Sequence, residues 1–408
     1  MRIVLKPQWL IDGLGGEPLT DLAVVVEGGQ IAAVAPAEQE PGKADDRVLD
    51  LPGQTLLPGL INNHVHLVLP GDNTPFVPWI DTQSDGALTL RAAFNAEQSL
   101  RAGVTTVRDC GGRGTTVLDL RDARAARLAG GARVVSCGWP LTITGGHTRH
   151  FGGEVDGIDG VQRMVRRVVG KGADYVKVMA AGGGTPGSYA QYPSFTVDEL
   201  RAIVETAHGF ERRVSMHCIA PASIALAVEA GADLIEHASF YGTSLSPEYN
   251  PRTGEQLAKA GIPVTPTLQV ARDMVELLPE GPERSLWQRR QEMHYGIVAE
   301  LFRLGVPILA GSDAGWRATS FDTFWKELAE LVVCGLEPVA AVQAATGSVA
   351  TALGMADQRG TIRAGLAADL IAVAGDVARN IACVRQVTTV VQDGVVVVEA
   401  PGGVSPVD

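Results

Sequence analysis

The sequence predicts an α/β protein: a (β/α)8 TIM barrel with a small discontinuous β-sandwich domain formed from both termini. Three observations predict it. Short apolar strands alternate with amphipathic helices through the middle of the chain, both ends read as alternating β segments, and the chain has 408 residues. A barrel uses roughly 250 residues, and single cores stop growing near roughly 250–300, so material remains for a second module. The expected division is residues 1–54 and 356–408 for the two parts of the β domain, and 55–355 for the barrel.

The first segment alternates as strands do: Ile3-Val4-Leu5, then Leu22 to Val26, then Ile31 to Val34. Apolar runs around Gly28-Gly29 signal a hairpin. The C-terminal stretch has the same texture in Ala368–Val373, Val387–Val391 and Val395–Val398, with a turn at Gln392-Asp393-Gly394. Between these ends, eight candidate strands cover Thr55–His66, Val104–Asp109, Arg133–Leu141, Tyr175–Met179, Val214–His217, Leu234–His237, Ile262–Thr265 and Pro307–Gly311. Helical patterns separate them. The clearest starts at Thr196 with Glu199 three residues on, a capping-box pair, and continues with Leu200, Ile203, Val204 and Ala207 on one face. Eight βα units favour a barrel over an open sheet. Gly182-Gly183-Gly184 lacks the frame of a phosphate-binding loop and is discounted as one.

Composition excludes several classes. With 34 basic and 46 acidic side chains the formal charge is −12, and no basic stripe with interleaved aromatics appears, so nucleic acid is a poor partner. The five cysteines (Cys110, Cys137, Cys218, Cys334, Cys383) are widely spaced and form no CxxC pair, which argues against a disulfide framework. The N-terminal MRIVLKPQWLIDG has too short an apolar run for a signal peptide, and no 18-residue apolar span occurs. The expectation is a soluble cytoplasmic protein acting on a small molecule, without membrane or nucleic acid, with homo-oligomerisation left open.

The chemistry lies where a barrel keeps it, at the C-terminal ends of strands. Strand 1 ends in His64-Val65-His66, and side chains at i and i+2 on a strand point the same way. Strand 4 carries Lys177 among apolar residues, costly unless the amine is paired or modified. Strand 5 ends at His217, strand 6 at His237, and strand 8 in Gly311-Ser312-Asp313. A single histidine is more often a satisfied core residue than a ligand. Five strand ends that together supply four histidines, a lysine and an aspartate point to a metal centre.

These residues, with Leu57-Pro58-Gly59-Leu60-Ile61, Ala102–Asp109, Gly311–Gly315 and the tail Gly360–Leu370, make the chain resemble the amidohydrolase superfamily over nearly its whole length. The resemblance implies a binuclear centre. Residues matching His64, His66 and Asp313 hold one divalent ion, those matching His217 and His237 hold the second, and a carbamylated lysine, here Lys177, bridges both. Zn2+ is the first candidate, with Mn2+, Co2+ or Fe2+ as alternatives and the carbamate derived from CO2. It further implies a metal-bridging hydroxide and Asp313 as catalytic proton shuttle.

Thr144-Gly145-Gly146-His147 and Gly172–Met179 are similar to the Xaa-Pro dipeptidase/carboxypeptidase-like and imidazolonepropionase-related branch, in which the histidine matching His147 contacts substrate. Arg149 and His150 follow and are expected to meet a substrate carboxylate. The apolar loop Pro75–Ile80, with Trp79, and Trp316 read as pocket walls. Ile219 departs from the branch, which often has His or Tyr two residues after the strand-5 histidine.

The implied activity is hydrolysis of an amide-type C–N bond in an N-acyl amino acid, a dipeptide, or a xenobiotic amide, carbamate or urea. Lactone, ester, cyclic-imide or phosphotriester hydrolysis on the same centre is the alternative. One-metal deaminases place Glu three residues after the strand-5 histidine, where this chain has Ala220, and lack the bridging lysine. A non-catalytic scaffold of this fold typically loses ligands, and here the set is complete.

Overall fold

A computed structural model describes residues 2–242 and 248–399 of the chain. The outermost residues of the expected β domain, Met1 and 400–408, lie outside the described residues, as do 243–247 within the expected barrel range. The chain divides into two compact units, Met1–Asn62 with Glu97–Thr106 and Asp322–Asp408, and Asn63–Ala96 with Val107–Phe321.

In the first unit, β1 (Ile3–Leu10), β2 (Leu22–Glu27), β3 (Gln30–Pro36) and β4 (Arg47–Pro58) share one seven-stranded sheet with three strands from the far end of the sequence. The order places the C-terminal strands directly beside β4, so segments from opposite ends of the sequence build one layer: β4 pairs antiparallel with Leu370–Ala374, Leu56 opposite Ala372. Ile3, Leu5, Val24, Val26, Leu56, Leu370 and Val391 form a buried cluster. Both predicted turns are present, at Gly28-Gly29 and at Asp393-Gly394, where positive φ values suit glycine.

The strands that carry the site are β5 (Leu60–Val65), β6 (Val104–Asp109), β7 (Arg133–Ser136), β8 (Val176–Val178), β9 (Val214–Cys218), β10 (Leu234–His237) and β11 (Val264–Thr265); β12 (Leu370–Ala374), β13 (Val387–Gln392) and β14 (Val395–Glu399) complete the terminal sheet. One sheet runs β5-β6-β7 and another β11-β10-β9-β8. The β8–β9, β9–β10 and β10–β11 pairs are parallel. β8, β9 and β10 are buried at every position, as parallel strands covered on both faces must be. Parallel bridges Leu141–Val178, Val264–Ile308 and Val65–Ala314 continue the order from one sheet to the other. The expected first strand, Thr55–His66, is two strands with a break at Gly59, and Pro307–Gly311 contributes only bridge pairing. The helix capped by Thr196 carries the full capping box with Glu199.

Candidate metal centre

Strand register and local backbone bring the predicted side chains together. In the parallel ladder Lys177 sits beside Ser215, and His217 beside Glu236. Registered neighbours in a parallel pair project to the same side, so Lys177, Ser215, His217 and Glu236 share one face. His237 follows Glu236 directly and in a regular strand would point the opposite way. Its φ of +69° takes it out of the β region, and its ring lies 5.0 Å from that of His64 and 4.5 Å from that of His217. Asp313 is likewise left-handed (φ 58°), tied by its N–H to the His64 carbonyl at 2.8 Å. Such strain at non-glycine residues gathers at sites where geometry is over-determined.

The six predicted ligands line one cavity of about 280 Å³, with His147, Ile219 and Trp316. His64 Nε2 and His66 Nε2 lie 3.4 and 3.5 Å from Asp313 Oδ1, and these three side chains form a group able to hold an ion. Lys177 Nζ and Asp313 Oδ1 are buried without a hydrogen-bond partner. The nearest carboxylate oxygen recorded for Lys177 is Glu236 Oε1 at 3.7 Å. Orphaned buried polar atoms of this kind fit residues that await a cation or a modification.

Each imidazole is oriented by a second contact. His64 Nδ1 meets Glu236 Oε2 at 2.8 Å, His66 Nδ1 donates to the Gly111 carbonyl at 2.9 Å, and His237 Nδ1 meets Thr267 Oγ1 at 2.7 Å. Thr267 Oγ1 gives its own hydrogen to the Pro266 carbonyl, so it accepts from His237. In His66 and His237 these contacts leave Nε2 as the ligating nitrogen. His217 is reversed: its Nε2 donates to the Gly182 carbonyl at 3.1 Å, which leaves Nδ1.

Burial drives His66, His217 and His237 well below the ordinary imidazole value, with neighbouring histidines adding to it, so all three are neutral donors. Burial also opposes a charge on His64, but negative charge at Cys110, Glu236 and Asp313 outweighs it and carries the ring up to about 10. The surroundings of His64 therefore call for positive charge, which a divalent ion would equally supply. Burial pushes Asp313 up to about 6 against the opposing charges of His64 and Lys177.

Glu236 and Arg108 were not singled out from sequence. Glu236 accepts from Arg108 Nη1 at 2.7 Å and from the Ser215 hydroxyl while holding His64, and its carboxyl sits well below the usual range because Lys177, Arg108 and His64 outweigh burial. The Arg108 guanidinium stacks 3.9 Å from the Tyr175 ring centroid. A charged residue inside Leu234-Ile235-Glu236-His237 is the sequence signal that could have found Glu236.

His147 lies beside His217, ring centroids 4.8 Å apart, and burial with the Lys177 charge brings it down to about 3. Thr185 Oγ1 accepts the Thr148 N–H and lies 2.8 Å from His147 Nδ1. The threonine hydroxyl hydrogen is thus available to Nδ1, leaving Nε2–H as a donor. A Cβ on Gly183 would lie 2.6 Å from His147 Nε2, and one on Gly184 would lie 2.7 Å from Trp316 Cζ2. The glycine run is a close-approach device for the cavity wall.

Arg149 does not line this cavity: its guanidinium caps the Gly145 and Pro186 carbonyls, and His150 pairs with Asp81 at 3.1 Å. Trp79 lies in the short helix Phe76–Ile80 and lines neither this cavity nor its neighbour of about 320 Å³, whose walls include Phe76, Val77 and Trp316. The cavity instead takes in Trp287, Arg290, His294 and Arg317. Among the described residues no helix is long and apolar enough to cross a membrane.

The model of the amidohydrolase family matches residues 55–397. The chain is 28% identical over 397 residues to an ochratoxinase of Aspergillus niger, covering 88% of this chain and 78% of that protein. It is 31% identical over 243 residues to an imidazolonepropionase of Saccharopolyspora erythraea, covering 54% of this chain and 58% of that one. The crystal structure of a Xaa-Pro dipeptidase with methionine in its active site superposes with a TM-score of 0.87 at 26% identity, over 97% of this chain and 99% of that one. The chain belongs to the amidohydrolase family and is a hydrolase acting on C–N bonds.

Proposed function

We propose that the chain hydrolyses an amide-type C–N bond, in an N-acyl amino acid, a dipeptide or a related amide, carbamate or urea, at a two-metal centre held by His64, His66, Lys177, His217, His237 and Asp313. Lys177 Nζ carries the reading: it is buried, has no hydrogen bond, and shares its cavity with the imidazoles of His64, His66, His217 and His237. A buried ammonium there is costly. When the neutral amine attacks CO2, an N–C bond forms, the amine proton leaves, and the product is an anionic carbamate able to ligate two cations.

Two divalent ions bound there, Zn2+ before Mn2+, Co2+ or Fe2+, would supply Lewis acidity and hydroxide near neutrality. Asp313 would accept a proton and pass it to the departing amine nitrogen, the work of a positioned general acid–base. His147, neutral and donating from Nε2, steadies the carbonyl oxygen as negative charge develops there. Ile219 and Trp316 supply apolar wall and exclude water. The amino acid seated in the Xaa-Pro dipeptidase neighbour supports an amino-acid-derived substrate.

The test is metal analysis followed by a screen of Zn- or Mn-loaded protein against N-acyl amino acids, dipeptides, aryl carbamates, ureas and lactones. The expected result is about two ions per chain and turnover confined to C–N substrates. A metal-free protein with full activity, or turnover of lactones alone, would overturn the reading.

A further inference from the structure

Two arginines line the cavity with no ion pair among the described residues, Glu283 acting on Arg317 only from beyond contact distance. Arg290 and His294 lie four residues apart on the helix Pro282–Arg303, hence on one face, and His294 Nε2 donates to the His237 carbonyl at 3.0 Å. That bond turns the face carrying Arg290 toward the cavity. Arg317 follows the Asp313 turn with a left-handed backbone, φ 52°. Both guanidiniums lie near one indole: Arg317 is 5.4 Å and Arg290 5.6 Å from the Trp287 ring centroid, and Arg290 is also 5.5 Å from that of Tyr241. Both belong to the wall that holds His64, Lys177 and Asp313.

Neither arginine has an ion pair among the described residues, and Arg290 Nε is buried without a hydrogen-bond partner. Burial pulls Arg317 below the ordinary arginine value; Glu283 opposes this, and the like charge of Arg290 adds to it. Two partly buried cations close to one ring repel each other, and an anion bound by both would offset that repulsion. A planar carboxylate matches the guanidinium fork in bidentate fashion, while Trp287 and Tyr241 offer apolar faces to whatever carries it.

We propose that Arg290 and Arg317 form a subsite for a carboxylate of the substrate, so that the amide cleaved belongs to an acid of the N-acyl amino acid or dipeptide class, not to a neutral amide. This rests on the amide-hydrolase reading above. It also moves carboxylate recognition from Arg149 in the loop after strand 3 to the walls formed by the segments after strands 7 and 8.

The experiment compares N-acetyl-L-phenylalanine with its decarboxy analogue N-acetylphenethylamine on metal-loaded wild type, Arg290→Met, Arg317→Met and Arg290→Lys, each checked for an unchanged melt. In wild type the acid is expected to be favoured by about 10- to 100-fold, mainly through KM, the range of charge-assisted hydrogen bonds. Each Met variant should bring that ratio down about tenfold, and Arg290→Lys should keep part of it. A wild type indifferent to the carboxylate, or Met variants that keep the full preference, overturns the subsite. Should neither amide be turned over, the N-acyl amino acid reading fails separately and calorimetric titration of L-phenylalanine against phenethylamine decides the subsite. Weaker L-phenylalanine binding in Arg290→Met then supports it, and equal binding in wild type and variant refutes it.

Discussion

Glu236 and His237 show what a single backbone angle decides. As neighbours on a strand they should face opposite sides; the left-handed φ at His237 brings its ring beside those of His64 and His217, while Glu236 orients His64, and His237 is a ligand in the reading proposed above. Outer partners of this kind tune ligand basicity, and their loss typically costs about 10- to 100-fold in metal affinity. Glu236→Gln is expected to weaken metal binding by that order, measured by competition with a chromogenic chelator; unchanged affinity would remove Glu236 from the site. Asp313→Asn keeps an oxygen for the ion but cannot cycle a proton. It should cut kcat by about 10²–10⁴-fold with an unaltered melt, and near-normal turnover would refute the shuttle. Lys177→Ala should lose metal and regain part of it with added short-chain carboxylates, whereas full metal content in the untreated variant would rule out the bridge. The proposed metal ligands were legible in the sequence because each stands in or just after a short apolar strand, where a polar residue is conspicuous. Arg290 and Arg317 were not, since an arginine in a helix or loop carries no mark of the direction it faces.

Among the elements, the loop after β8 carries the plainest structural demand. Gly183 leaves no room for a Cβ beside His147, so Gly183→Ala should displace the ring. Displacement near 1 Å costs roughly 10²-fold in rate. Gly86→Ala, on an open helical position with nothing within 4 Å, should leave kcat/KM unchanged; equal losses in both would deny Gly183 its special role. The helix begun by Thr196 makes a separate prediction. Partial burial raises the Glu199 carboxyl, but the N–H and hydroxyl of Thr196 and the N–H of Gly157 outweigh it and hold the carboxyl below its ordinary 4.5. A depressed folded pKa stabilises above the unfolded value and loses that stability as pH falls through the folded one. The destabilisation caused by Glu199→Gln should thus be constant between about pH 7 and 5 and shrink only below 4.5, followed by thermal melts; a deficit that persisted in acid would show a different cause.

For the molecule as a whole, a ligand bound only by the folded state stabilises by about 2.7 kcal/mol at a hundredfold excess over Kd. Chelation should therefore lower the melting temperature and reloading restore it; a melt indifferent to chelator would speak against a resident ion. The sequence by itself determined the class of the chain, the two-ended β layer, the capping box, both hairpin turns and the polar residues at the strand ends. Those features depend on local periodicity and on residue types whose backbone preferences hold in any context. Only the tertiary structure decided which polar residues converge. Strand register set Glu236 beside His217, strained φ values turned His237 and Asp313 into the cavity, and segments distant in sequence carried Arg290 and Arg317 to its wall while Arg149 was spent on backbone carbonyls. Convergence is a property of non-local packing, and no residue records in its own neighbourhood where the rest of the chain will place it.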